Sequence, residues 1–83
     1  MGQLSCCGNS SWILDRDLPS AAGFEYTLGK CDRCGKPWMN VFCAATGLTG
    51  FEPVAPSDLE PLHSIADGPE LKEFVRRWGE RNL

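Results

Sequence analysis

The sequence predicts a small α+β domain, antiparallel β-hairpins followed by a C-terminal amphipathic helix, and three observations carry that expectation. Phe24-Glu25-Tyr26-Thr27-Leu28 alternates with period two, the mark of a half-buried strand. Leu71, Phe74, Val75 and Trp78 recur at i, i+3, i+4 and i+7, the spacing of one helical face. Nine Gly and six Pro cut 83 residues into short elements. Such a length holds one domain, residues 1–83, with no room for a second core.

The β part spans residues 4–54. Ser10 to Asp17, with Trp12-Ile13-Leu14, is strand-like and runs into a loop of turn residues, Asp17-Leu18-Pro19-Ser20-Ala21-Ala22-Gly23. The strand that follows puts Phe24, Tyr26 and Leu28 on one face. Pro37 opens a third run, Trp38-Met39-Asn40-Val41-Phe42-Cys43, apolar on nearly both faces, which predicts a central strand. Thr46-Gly47-Leu48-Thr49-Gly50 turns the chain, and Phe51-Glu52-Pro53-Val54 returns as an edge strand, where Pro53 is tolerated.

Residues 55–68 form a Pro-rich link. Within it, Ser57-Asp58-Leu59-Glu60 has capping-box spacing and predicts a short helix over Asp58–Ile65, with Pro61 in its first turn. Asp67-Gly68-Pro69-Glu70 starts the last helix, residues 69–82. Glu70 and Glu73 suit the positive end of its dipole, and Arg76, Arg77 and Arg81 the negative end. An isolated helix of this length is marginal, so its apolar stripe must dock, and the sheet face bearing Phe24, Tyr26 and Leu28 is the expected dock.

Charge and composition exclude several function classes. The formal net charge is −3; residues 1–36 are balanced, residues 37–69 carry Glu52, Asp58, Glu60 and Asp67 against no Lys or Arg, and residues 70–83 are slightly basic. With no basic patch, a dedicated nucleic-acid binder is not expected. No apolar run approaches the ~20 residues of a membrane span. Met1-Gly2-Gln3-Leu4-Ser5 lacks the basic start and apolar stretch of a secretory signal, so a cytoplasmic protein is expected. In that compartment the Asn9-Ser10-Ser11 sequon is silent and disulfides are disfavoured. The single histidine, His63, and scattered Ser and Asp build no nucleophile–base constellation, and no enzyme is expected. A core this small contributes only ~3–5 kcal/mol, so a staple is expected, and the five Cys are the candidates.

Cys31-Asp32-Arg33-Cys34-Gly35-Lys36 carries the chemistry. Two thiolates two residues apart in a tight turn reach one Zn2+ at ~2.3 Å, and a Gly after the second Cys frees the backbone to turn its N–H groups toward sulfur. Strand-like sequence on both sides, with Gly35 and Pro37, counts against the helix that a thioredoxin-type redox pair needs. A second Cys-Gly step, Cys6-Cys7-Gly8-Asn9, also leads into a strand.

With these two knuckles the chain resembles the zinc-ribbon group, including rubredoxin-like small domains, over residues 4–54. The resemblance implies zinc-ribbon-like hairpins that clamp one metal, with Cys7, Cys31 and Cys34 as ligands. It departs from the pattern at Leu4, which stands where the first knuckle's first Cys is expected. Adjacent Cys6 is the favoured fourth ligand on locality; Cys43, His63 and a water are the alternatives. Cys43 shares parity with Met39 and Val41, which predicts a buried core cysteine, and His63 reads as a solvent-facing side chain.

The expected function is a non-enzymatic protein-interaction module built on a structural zinc, its surface being the acidic stretch Glu52–Asp67 or the outer side of the last helix. The partner, a protein, is not identified by the residues. One alternative is weak single-stranded nucleic-acid binding, with Arg33 and Lys36 beside an exposed Trp12 or Trp38. Another is a rubredoxin-like electron carrier with iron in the same thiolates.

Overall fold

The computed structural model describes residues 11–83. The chain runs β1 (Trp12–Asp17), β2 (Phe24–Cys31), β3 (Pro37–Cys43), β4 (Thr49–Pro53), α1 (Pro56–Ser64) and α2 (Pro69–Asn82). The strands form one antiparallel meander, β1-β2-β3-β4. Continuous apolar sequence does place β3 inside, between β2 and β4, and Pro53 does sit on an edge, opposite Trp38.

The first hairpin closes through Ala22 and Gly23, both at positive φ (52° and 83°), between the mutual backbone bonds of Ala21 and Phe24. Two positive φ values in succession make a turn whose twist matches that of the strands it joins. Further along β1 the register slips between Leu14 and Arg16, a bulge at Asp15.

Cross-strand partners share a face of the sheet. Tyr26 opposite Val41 and Leu28 opposite Met39 make the face that receives both helices. Leu28, Met39, Val41, Leu62, Leu71, Val75 and Trp78 are fully buried there. Trp78 meets Tyr26 edge-on, with ring centroids 6.0 Å apart at 88°. The apolar stripe of α2 thus docks where the alternation of β2 predicts, with Phe74 half-buried at its margin. Gly79 is buried as well, because any Cβ there would overlap the Tyr26 hydroxyl.

Three local expectations are corrected. The short helix spans Pro56–Ser64 rather than Asp58–Ile65. No capping box forms: Ala55 is the N-cap, its carbonyl accepts the Asp58 and Leu59 N–H groups, and Pro56 enters the first turn. Pro61 consequently lies inside the helix instead of its first turn. Arg16 closes the other end of α1 with a fork that the local pattern did not reveal. Its guanidinium donates to the carbonyls of Leu62 (2.8 Å), His63 (3.2 Å) and Ile65 (2.7 Å), the groups a helix C-terminus leaves unsatisfied. No helix among the described residues is long and apolar enough to cross a membrane.

Candidate metal centre

The C-x-x-C turn joins β2 to β3. Cys31 is the last residue of β2, and its N–H donates to the Lys36 carbonyl at 3.0 Å, which closes the loop. Inside it the Gly35 N–H donates to the Cys31 carbonyl at 3.0 Å, and Gly35 takes φ +74°, a conformation that a side chain would strain. The Arg33 N–H donates to the Cys31 Sγ at 3.4 Å. An amide aimed at sulfur stabilises a thiolate more than a thiol, since it places positive charge against the developing negative one. Cys31 is buried and Cys34 is exposed.

The start of β1 adjoins this turn. Trp12 pairs with Cys31, and just before it Ser11 and Asp32 make a reciprocal pair. The Asp32 N–H donates to the Ser11 carbonyl at 2.9 Å, and the Ser11 N–H donates to Asp32 Oδ1 at 2.9 Å. On the sheet face away from the helices the Trp12 indole lies across Gly29 and reaches Phe51, with ring centroids 5.9 Å apart. Gly29 is required here because a Cβ would occupy the indole's place.

The remaining candidates lie elsewhere. Cys6 and Cys7 fall outside the described residues. Cys43 is opposite Phe24 at the far end of β2 from Cys31, seven residues or ~23 Å along the strand, which removes it from this turn. It is half-buried rather than a core residue, because β3 ends there. Hydrogen bonds from the Thr46 side chain and backbone hold its thiol below the ordinary cysteine range. The ring of His63 faces outward from α1, and its Nε2 lies 2.5 Å from Asp15 Oδ2 at the β1 bulge. Among the described residues no group of three or more His, Cys, Asp or Glu side chains is placed to hold a metal ion.

No family model, no curated protein and no solved structure matches this chain. The chemistry of the turn therefore rests on its own geometry. The tryptophans named for stacking are corrected by burial: Trp38 is 5% exposed, with the Lys36 ammonium 4.9 Å from its ring centre, and Trp12 is half-buried. Bases stack on open ring faces, and the buried Trp38 presents none. The acidic stretch is also partly neutralised within the fold. Asp58 is buried and accepts from Arg81 at 3.2 Å, and Asp67 lies 3.3 Å from Arg16. On the outer side of α2, Glu73 and Glu80 are spanned by Arg76 and Arg77.

Proposed function

We propose that this chain binds one zinc ion through Cys6, Cys7, Cys31 and Cys34 and uses it as a structural staple for a non-enzymatic protein-interaction module. The observation that carries the reading is the β2–β3 turn, in which Gly35 at positive φ closes the loop and an amide is aimed at the Cys31 sulfur. Chain reach supports the N-terminal pair as the other half. Only three residues separate Cys7 from Ser11, a span of at most ~14 Å, and Ser11 is bonded to the turn itself. The zinc would contribute folding energy that a core of this size lacks. For the interaction, β1, an edge strand among the described residues, offers Ile13 and Leu14, 45% and 54% exposed.

Native mass spectrometry with metal analysis tests this reading, with one zinc per chain expected. Chelator at neutral pH should abolish the cooperative melt and the dispersed amide spectrum. Cys31→Ser and Cys34→Ser should do the same, and Cys43→Ser should be milder. A metal-free chain that keeps its melt and spectrum refutes the structural role. Visible colour in freshly purified protein would put iron in place of zinc.

A further inference from the structure

We infer that the hollow between the start of β2 and the C-terminal end of α2 is a binding site for a small neutral aromatic molecule that carries one hydrogen-bond acceptor. The hollow holds about 200 Å3, and its walls include Ala22, Phe24, Tyr26, Gly79 and Leu83. Tyr26 is 3% exposed, yet its hydroxyl makes no hydrogen bond among the described residues. The hydroxyl lies against Gly79, in the space a Cβ would take, and the Gly79 carbonyl already accepts the Leu83 N–H at 2.8 Å. A buried hydroxyl without a partner is costly, and an acceptor seated in the hollow completes it. Burial pushes the Tyr26 phenol above its ordinary range, so the group stays protonated and acts as the donor.

Size and charge set the ligand class. A cavity of roughly 150 Å3 accepts benzene, so this hollow has room for one ring and a short substituent. Phe24, with its ring centroid 6.2 Å from that of Tyr26, gives the ligand an aromatic wall, and Ala22 and Leu83 give apolar ones. At the rim Arg76 bonds to Glu80 and to Glu73, so its charge is balanced and an anionic ligand would have to compete with both carboxylates. The site is independent of the metal reading, because Phe24 and Cys31 stand at opposite ends of β2.

Acetophenone and ethylbenzene, a ketone and a hydrocarbon of similar shape, are the probes, titrated into the full chain and followed by 1H–15N correlation spectra. Acetophenone should give saturable shifts centred on the Ala22, Gly79 and Leu83 amides. Tyr26→Phe removes only the hydroxyl. It should weaken acetophenone about 2–10-fold, the worth of one hydrogen bond, and leave ethylbenzene unchanged. Benzoate should bind more weakly than acetophenone. No saturable shifts at these amides up to the solubility limit, equal acetophenone affinity in Tyr26→Phe, or tighter binding of benzoate would each overturn the site. A Tyr26→Phe chain that fails to fold would show that the hydroxyl is bonded within the protein, which overturns it as well.

Discussion

Trp78→Ala tests whether the helix stripe and the sheet face are one core. Trp78 is fully buried and meets Tyr26 edge-on at 6.0 Å. An indole of this kind buries ~200 Å2, worth ~5 kcal/mol at 25 cal/mol per Å2, and the aromatic pair adds ~0.5–1.5 kcal/mol. An opposing cost lowers the total: the Trp78 Nε1–H finds no acceptor among the described residues, and removing an unpaired buried donor returns ~1–3 kcal/mol. The net expectation is a loss of ~3–5 kcal/mol, within the range of large-to-small core changes. Trp78→Phe, which removes the donor but keeps a ring against Tyr26, should cost far less. Urea unfolding followed by far-UV circular dichroism, with zinc present throughout, measures both. A loss below ~1 kcal/mol for Trp78→Ala with an unchanged m-value would refute the packing argument. Concomitant loss of self-association would move the stripe to an interface.

Two further outcomes follow from the backbone and the charges. Ala22 sits at φ 52° ahead of Gly23, where an L side chain costs ~1–2 kcal/mol and Asn is better tolerated, so Ala22→Asn should raise the urea midpoint; a lowered midpoint would contradict the turn assignment. Hydrogen bonds from Arg76 and then Arg77 lower Glu73 to about 2 from its ordinary 4.5. A depressed carboxyl stabilises the fold above its unfolded pKa and loses that contribution as pH falls from about 4.5 through about 2. Exposure keeps the effect small and salt-sensitive, so Glu73→Gln should lower stability slightly at neutral pH and low ionic strength, converge with wild type as pH falls toward about 2, and so flatten the acid limb.

What the sequence made legible is what a local period encodes. The alternation of Phe24, Tyr26 and Leu28 and the spacing of Leu71, Val75 and Trp78 each identify one face, and each face has to be covered. The features that escaped are long-range or depend on a neighbour's shape. Arg16 reaches carbonyls 46 to 49 residues away, and no window along the chain contains both ends of such a bond. Gly29 and Gly79 are each the bare backbone against which an aromatic group rests, Trp12 on one and Tyr26 on the other, a role that no local period encodes. The capping-box reading of Ser57 to Glu60 failed because Pro56 is already suited to the first helical turn, which moved the start upstream. At the candidate site the C-x-x-C spacing was visible; the Ser11–Asp32 pair, 21 residues apart, was not.

On the proposed zinc reading, the helix-covered core and the cysteine turn are held by different means. Tyr26, Leu28, Met39 and Val41 face the helices, whereas Trp12, paired with Cys31, lies across Gly29 on the other face. The buried core of such a domain contributes a net ~3–5 kcal/mol, and a structural zinc contributes ~10 kcal/mol or more in small zinc-dependent folds. On the proposed zinc reading, the larger contribution would come from the cysteine turn and not from the helix-covered face. Removing Trp78 costs about as much as the whole surplus of the core, so a metal-independent fold has nothing left to absorb it. A fold held also by the ion at the turn does. Persistence of a cooperative Trp78→Ala transition with zinc, and its loss with chelator, would therefore place the staple at the cysteine turn. A Trp78→Ala chain that melts alike in both conditions would leave the hydrophobic face alone responsible for the fold.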